Sequence, residues 1–517
     1  MEDTQRSDLL GQRQVRLDKL AELKKLGVNP YPAKSFRDHS NGEVLSKFEE
    51  FDGKEVCLAG RIVAWREHGK LVFGNILDQT GSIQLMIRET DLVEDLSKGY
   101  LGWDKLYLLD LADFVELYGT IGKTRTGEIT IMVKNVRLLT KALRPIPRKL
   151  ENKEQIFRRR YLDLVVDNES LKLFERKAKF WQVQRDFLRD HGFMEVEVPV
   201  LEAVTGGADA APFITHHNAL DQDFYLRIST ELYQKRLIGG GYEKIFTLGP
   251  NFRNEGMDDE HLQEYYQLEW YWGYANYKDN MQLVHDLFLE IANKVYGKTQ
   301  FTTRGHTFDL ADEWKEIDYT DVIKERFNVD IFNDPDEKLL SVIKENNIEM
   351  GGEVNRNRMI DTLWKAIRAT ISGPAFLVNQ PKFVSPLAKS HQDNPDLTER
   401  FQVVIAGSEL GNGYSEINDP QDQLDRFLEQ QAMRDSGDSE AQMLDIDFVE
   451  MLEYGMPPVS GYGQSERIFW FLEDISGREG TFFPQMRVEV ENTTKQIYKD
   501  RVRFKENIKK EDKVEKN

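Results

Sequence analysis

The sequence predicts an α+β protein in two folded parts, a small closed β-barrel followed by a larger domain that mixes amphipathic helices with alternating strands. Three observations carry that reading. Between Val56 and Val136, short alternating runs recur, "VCLAGRIVAW", "LVFGNILD", "SIQLMIR", "DFVELYGTIG" and "EITIMVKNVRLL", punctuated by "HGK", "DQTG" and "KTRTGE". This is the pattern of half-buried strands joined by tight turns. Prolines in "RPIP" (144–147) then interrupt it, because proline locks its φ and donates no backbone hydrogen bond. Beyond them, helical and strand periods interleave as far as the tail. A chain of 517 residues, 40% apolar and 31% charged, has room for more than one core.

The first element is an amphipathic helix. Leu9, Leu10, Leu17, Leu20, Leu23 and Leu26 stand at helix-like spacing among charges within residues 8–27. With the irregular stretch after "NPYP" they form a lead-in, residues 1–54. Residues 55–140 hold the five strand runs, with one longer segment (90–110) between the third and fourth, an arrangement that fits an OB-fold. Residues 141–160 read as a linker, and 161–487 as the main domain. Its first helix repeats apolar pairs every seven residues, Leu173/Phe174, Phe180/Trp181 and Phe187/Leu188, as one buried stripe would. "FMEVEVPVL" (193–201) then alternates like a strand, and its proline places it at a sheet edge or a strand end. Alternation returns at 244–255, 264–274 and 399–417, and helical spacing at 280–296 and 420–435. The tail, 488–517, is charged, and "KENIKKEDKVEKN" (505–517) has the composition of a disordered segment.

Composition excludes several classes. No apolar run of about 18 residues occurs, so no membrane span is expected. The start, "MEDTQRSDLLGQRQ", lacks the basic flank and apolar core of a secretory signal, which points to the cytoplasm. Cys57 is the sole cysteine, so an intramolecular disulfide and a cysteine-cluster zinc site are excluded. The net charge of −20 bears on solubility more than on contacts. Basic residues gather in "RQVRLDKLAELKKLG" (13–27) and "KALRPIPRKLENKEQIFRRRYLDL" (141–164), each readable as a nucleic-acid patch or as a solvated helix face and a linker.

Three constellations carry chemistry. In "FTLGPNFRNEGMDDEHLQEYYQLEWYWGY" (246–274), a period of two puts Arg253 and Glu255 on one strand face. On the return strand it groups Tyr265, Gln267, Glu269 and Tyr271, leaving Tyr266, Leu268, Trp270 and Trp272 for the core. "ERFQVVIAGSELGNGYSEIND" (399–419) gives a strand, a glycine-bearing turn and Asn412, Tyr414 and Glu416 along one face. "PPVSGYGQSERIFWFL" (457–472) sets glycines ahead of Arg467, which should open a helix packed through Ile468, Phe469 and Phe471. Glycine lets a backbone approach a ligand closely, and arginine suits phosphate. Taken singly, each fragment is equally a turn or a surface salt bridge.

In this order the three resemble the signature motifs of class II aminoacyl-tRNA synthetases, and of the lysyl-tRNA synthetases in particular. The likeness runs from about Leu9 to Arg487. It includes "GGADAAPFITHHNALDQDFYLRISTELYQKRL", "NFRNEG", "SPLAKSHQDNPDLTERF", "ELGNGYSEINDPQDQ", "EYGMPP" and "FFPQMR", with "TRTGEITI" and "LLTKALRPIPRK" in and after the barrel. The resemblance implies an OB-fold anticodon-binding domain and a catalytic domain built on an antiparallel β-sheet with flanking helices. It also implies a homodimer formed through the helix and edge strand at 171–200. The implied reaction joins the carboxylate of L-lysine to the α-phosphate of ATP with loss of pyrophosphate, then passes lysine to the 3′-terminal ribose of tRNA(Lys).

Site roles follow from the same resemblance. Arg253 would serve the reacting phosphate and Arg467 the far phosphates, with His261 beside them. Glu255 would accept from the adenine amino group, and Tyr265 would stack on the ring. Magnesium prefers carboxylate together with phosphate oxygens, so Glu409 is the first metal ligand and Gln402 the second candidate. For lysine, Gly207 and Glu231 would take the α-ammonium, Asn412 with Arg253 the carboxylate, and Glu269, Tyr271 and Glu416 the ε-ammonium. Tyr414 also stands at a lysine-binding position. A substrate with two ammonium groups needs buried acceptors, which a neutral isostere would leave unpaired. On the barrel, Phe73, Gln84 and Glu128 match the anticodon-reading positions, where an aromatic ring stacks a base and polar neighbours read its edge.

The chain departs from the family at four places. Gln402 in "RFQ" replaces a glutamate, Ala211 replaces the arginine before "PF", Leu262 replaces the asparagine after His261, and "SGYGQSER" is one residue short with its glycines moved. The altered "SGYGQSER" motif and Gln402 support an alternative reading, a diverged paralogue that binds lysine or tRNA with weak charging activity, in a regulatory or binding role.

Overall fold

The chain divides after Glu151, close behind the proline-marked boundary. In the computed structural model, which describes residues 2–350, 355–437 and 441–503, the described residues up to Glu151 and from Arg487 to 503 form one compact unit, and those of Asn152–Met486 the other. The segment expected to be disordered, 505–517, lies outside the described residues.

In the first unit the leucine-spaced segment is helix α1 (Glu2–Lys25). The stretch expected to be irregular holds two short helices, α2 (Asn41–Ser46) and α3 (Phe48–Phe51). The Ser40 side chain starts α2 by accepting the Glu43 N–H, as an N-cap does. All five strand runs are strands: β1 (Glu55–His68), β2 (Leu71–Asp78), β3 (Gly81–Arg88), β4 (Phe114–Lys123) and β5 (Ile129–Thr140). They close into a barrel in the order β1-β2-β3-β5-β4, with β3 and β5 parallel and the other neighbours antiparallel. Closure removes the unpaired edges that an open sheet would expose. Leu58, Ile62, Ile83, Leu85, Val115 and Val133 fill the barrel, and Leu23, Val28, Val44, Phe48 and Phe51 of the lead-in pack on the same core. The lead-in is therefore part of this domain.

Several basic residues read from sequence as surface charge are structural. Arg16 donates to the carbonyls of Ala142 and Arg144 at 3.0 and 3.2 Å. Lys141 is buried and donates to the Leu108 carbonyl (2.7 Å), Asp110 (2.5 Å) and Asp113 (2.7 Å), the partners a buried cation requires. The tail also contributes a helix, Asn492–Tyr498, to this unit.

The second unit opens with α4 (Lys153–Arg158), α5 (Arg160–Val166) and α6 (Asn168–Asp190), so the end of the expected linker is helical. Arg160 is buried there and pairs with Asp163 at 2.8 Å. On α6, Phe174, Phe180, Trp181, Phe187 and Leu188 are buried as their spacing predicts, while Leu173 is partly exposed. The strand expected from "FMEVEVPVL" shrinks to β6 (Met194–Glu195). Val196 still donates to the Phe246 carbonyl at 2.9 Å, but Pro199 has no N–H to continue a ladder.

A small sheet follows, β7 (Leu201–Glu202), β8 (Ile214–His217) and β9 (Gln222–Leu226). Next come α7 (Glu231–Gly239), β10 (Lys244–Phe252), β11 (Glu264–Gly273) and α8 (Tyr277–Ile291). The hairpin β12 (Gln300–Thr303) and β13 (His306–Asp309) leads to β14 (Lys315–Asp318). Helices α9 (Tyr319–Phe327), α10 (Asp336–Glu345) and α11 (Arg356–Arg368) precede β15 (Ala375–Val378), β16 (Arg400–Ile405) and β17 (Ser408–Ser415). The domain ends with α12 (Pro420–Asp435), α13 (Ile446–Tyr454), β18 (Val459–Ser465) and α14 (Arg467–Glu473).

These elements build an eight-stranded sheet in the order β14-β15-β16-β17-β18-β11-β10-β6. The six central strands are antiparallel, as expected, and the edge strands β14 and β6 run parallel to their neighbours. One face packs Leu268, Trp270, Val403 and Tyr462 against Val284, Leu287 and Phe288 of α8 and Ile468 and Phe469 of α14. Tyr266, expected in that core, is 45% exposed at the end of its row. The other face is polar and holds a cleft.

Candidate active site

Strand register lays down the cleft floor in rows. Glu269 of β11 lies opposite Gly463 of β18, which faces Asn412 of β17, which faces Gln402 of β16. The next row runs Tyr271, Gly461, Tyr414, Arg400. Glycines in the middle strand leave a trough between long polar walls. A Cβ on Gly461 would overlap the Glu416 carboxylate and stand 2.5 Å from Tyr271 Cε1.

Glu409 should by simple alternation point away from Asn412. It does not, because the β16–β17 register shifts between Val403 and Val404: Gly411 faces Val403 while Glu409 faces Val404, leaving Leu410 as an extra residue on β17. That bulge resets the period and returns Glu409 to the face of Gln402 and Asn412. A different break affects Arg253 and Glu255. β10 ends at Phe252, so both belong to the following loop rather than to a strand, yet both line the cleft.

On one side the cleft is an acidic cavity of about 270 Å³, lined by Gly207, Glu231, Arg253, Glu269, Tyr271, Asn412, Tyr414 and Glu416. Gly207 holds a left-handed φ of 86°, which glycine adopts without strain. Glu231, Glu269 and Glu416 are all buried. Their partners differ. Glu231 accepts the Tyr414 hydroxyl at 2.7 and 2.8 Å and the Lys235 ammonium at 2.5 Å. Lys235 also pairs with Glu416. Glu269 is held by Thr230 Oγ1 (2.7 Å), the Thr230 N–H (3.2 Å), Ser229 Oγ (3.1 Å) and Gln267 Nε2 (2.6 Å), so it is turned toward the start of α7.

Glu231 and Glu416 thus share one ammonium while Glu269 takes its donors elsewhere, so the cavity is rich in acceptors. Burial raises the Glu416 carboxyl well above the ordinary range, Lys235 opposing and Glu231 and Glu269 adding to the rise. Burial also raises Glu269. Burial alone would lower Lys235, but Glu231 and Glu416 outweigh it and hold the ammonium above its usual value.

A second cavity, about 280 Å³, adjoins the first and is lined by Arg253, Glu255, His261, Tyr265, Glu409 and Arg467. Arg253, Gln267, Gln402, Asn412 and Gly463 line both. The Nε of Arg253 is buried and has no hydrogen-bond partner among the described residues, and its guanidinium lies 5.6 Å from the Tyr265 ring centroid. Arg467 opens α14 as expected. Burial pushes its guanidinium down to about 10, with Glu409 offsetting and Arg368 reinforcing the shift.

The loop between β10 and β11 is organised by its own side chains. Asp258 Oδ1 accepts the N–H groups of Glu260 (2.7 Å) and His261 (2.8 Å), and the His261 ring pairs with Asp258. Leu262, one of the departures, is buried in the main core. Ala211, another, receives the Asn254 N–H on its carbonyl at 2.7 Å.

Glu409 is a poor cornerstone for a protein-only metal cage. Its Oε1 accepts Trp364 Nε1 (2.5 Å) and Arg368 (2.9 Å), and its Oε2 accepts Gln402 Nε2 (3.0 Å). Burial would raise this carboxyl, but Arg368 and Trp364 hold it below its usual range, hence ionised. The described residues contain no cluster of three metal-ligating side chains. Glu409, with Gln402 beside it, fits a magnesium ion shared with phosphate oxygens.

The barrel has a separate face, a hollow of about 630 Å³ lined by Phe73, Gln84, Arg66, Arg88, Lys123 and Arg125 among others. Phe73 is half-buried there, while its neighbour Val72 points into the core. Gln84 accepts the Thr130 hydroxyl at 2.8 Å. Glu128 is exposed just before β5 and lies outside the lining. The basic rim stands out on so acidic a chain. No helix of the described residues is long and apolar enough to cross a membrane.

Sequence reading passed over Ser229, Lys235, Trp364 and Arg368. Lys235 had a signal, since it follows Glu231 by four residues on a helix. The others are placed by packing, which no local pattern reveals.

Two family patterns match the chain: one described as tRNA synthetases class II (D, K and N), over residues 152–487, and an OB-fold nucleic acid binding domain, over 56–139. Similar proteins named lysine–tRNA ligase include that of Thermotoga sp. (strain RQ2), 42% identical over 472 residues, 89% of this chain and 93% of the relative. That of Fervidobacterium nodosum is 42% identical over 488 residues, covering 92% and 94%. That of Carboxydothermus hydrogenoformans is 41% identical over 480 residues, covering 92% and 97%.

Proposed function

The chain belongs to the class II tRNA synthetases and, within them, to the lysine–tRNA ligases; from that premise we propose that it activates L-lysine with ATP and charges tRNA(Lys). The observation that carries this reading is the junction of the two cavities. Arg253 and Asn412 line both, so a lysine seated among the acids would bring its carboxylate to the α-phosphate of a nucleotide lying over Glu255 and Tyr265. Displacement at that phosphorus pushes charge onto its oxygens, and the unpaired Arg253 guanidinium is placed to stabilise it. Arg467 and His261 would meet the outer phosphates. The side-chain ammonium would lie with Glu416 and Tyr271, and the α-ammonium with Glu231 and Gly207. Glu269 holds Ser229 and Thr230 at the start of α7 and lines the pocket.

Magnesium, when bound, neutralises triphosphate charge, and Glu409 would hold it with Gln402 beside it. In the barrel, Phe73 would stack an anticodon base, Gln84 would read an edge, Glu128 would approach from the strand end, and the basic rim would meet phosphates. We further propose a cytoplasmic homodimer. Met194 on the short edge strand β6, and Val200, Leu201 and Ile214 in and beside the small β7-β9-β8 sheet, are exposed, and are apolar surface such a dimer would cover. Charging of a tRNA(Lys) transcript with labelled lysine tests the reading, and its absence with ATP and magnesium present would sink it.

A further inference from the structure

Glu260 closes the phosphate end of the cleft with a carboxylate that the reaction does not call for. Its Oε2 pairs with Arg467 and accepts the Ser408 hydroxyl at 3.3 Å, and its Oε1 pairs with Arg304. One anion thus bridges two guanidiniums, the arrangement that arginines also give to phosphate.

Arg304 is held in place from several sides. It sits at the β12–β13 turn with a left-handed φ of 52°, and its N–H donates to Asp474 Oδ1 at 3.1 Å. The Thr303 hydroxyl donates to the same oxygen at 2.8 Å. Its guanidinium lies 4.0 Å from the Phe471 ring centroid, within range of a cation–π contact. Phe471 lies on α14 and Asp474 caps it, so the helix that carries Arg467 also positions Arg304. The Nε of Arg467 is buried without a hydrogen-bond partner among the described residues. Arg304, Arg467 and Glu260 line a third cavity, about 920 Å³, which meets the nucleotide cavity along Glu260, His261, Glu409 and Arg467.

We propose that Arg304 binds the terminal phosphates of ATP and the departing pyrophosphate, and that Glu260 is a built-in competitor, occupying Arg304 and Arg467 until the triphosphate displaces it. This rests on the ATP-dependent reading above. A triphosphate offers more negative charge than one carboxylate, so the exchange runs toward the nucleotide. It need not unravel the loop, because Asp258 and Leu262 anchor that segment independently of Glu260.

Calorimetric titration of the full chain with inorganic pyrophosphate tests this without turnover, and the ATP dependence of lysine-driven pyrophosphate exchange tests it with turnover. Arg304→Ala should weaken pyrophosphate binding and raise the KM for ATP about 10-fold, the scale of one charge-assisted contact, with the KM for lysine unchanged. Arg304→Lys should recover part of that loss. Glu260→Gln should tighten pyrophosphate binding and lower the KM for ATP, and this gain should shrink in the Arg304→Ala background, as a coupled pair requires. Unchanged pyrophosphate affinity in Arg304→Ala, or weakened affinity in Glu260→Gln, would overturn the proposal. Arg304-dependent pyrophosphate binding in a protein without lysine-dependent exchange would uphold this assignment and overturn the lysine reading instead.

Discussion

On the proposed lysine reading, Glu416 is the residue on which substrate choice turns. Burial, with Glu231 and Glu269 nearby, raises its carboxyl well above the ordinary range despite Lys235. A bound ammonium favours the ionised form, so lysine binding should expel a proton, and affinity should fall as pH drops through the raised carboxyl pKa. Calorimetry in two buffers of different ionisation heat should report proton release, and none would contradict this. Glu416→Gln should raise the KM for lysine about 10- to 100-fold, the worth of one hydrogen bond to a charge, with the fold retained. Gln402→Glu would set a second carboxylate beside Glu409, and the magnesium dependence of exchange should shift to lower concentration; an unchanged dependence would mean that Gln402 lies off the metal path. At this scale motif order made Arg253, Glu409 and Arg467 legible. Lys235 was hidden because a Glu and Lys four apart on a helix ordinarily read as a solvated pair, and burial is a product of the whole fold.

Among the elements, β17 and β18 do the shaping. The bulge at Leu410 was not readable from alternation, which assumes an unbroken ladder, yet it is what turns Glu409 into the cleft. The glycines of β18 were visible, and register explains them: they face Glu269, Tyr271, Asn412 and Tyr414 across the sheet. Although the motif is one residue short, it still delivers Arg467 to the cleft wall. Gly461→Ala should displace Glu416 and Tyr271, raising the KM for lysine and destabilising the domain by about 1–3 kcal/mol as overpacking does; thermal unfolding and exchange kinetics check both. The edge strand at 193–201 was over-read because its alternation continues through Pro199, where no ladder can.

For the molecule as a whole, two units divide the work. The five barrel strands and α1 were legible to within a few residues because each repeats about one buried face, whereas α2 and α3 were not, being too short to show a period. The boundary fell at Glu151 rather than at the end of the expected linker because α4 and α5 already belong to the second unit. Phe73→Ala should weaken tRNA binding by about 1–3 kcal/mol, the cost of losing one stacked base, and leave pyrophosphate exchange unchanged. The central claim is that an acidic cavity joined to a nucleotide cavity through Arg253 activates lysine. Exchange of labelled pyrophosphate into ATP, measured with each of the twenty amino acids in turn, tests it most directly. Strong exchange is expected with lysine alone, abolished in Arg253→Ala; no exchange with lysine, or equal exchange with aspartate or asparagine, would overturn the lysine reading.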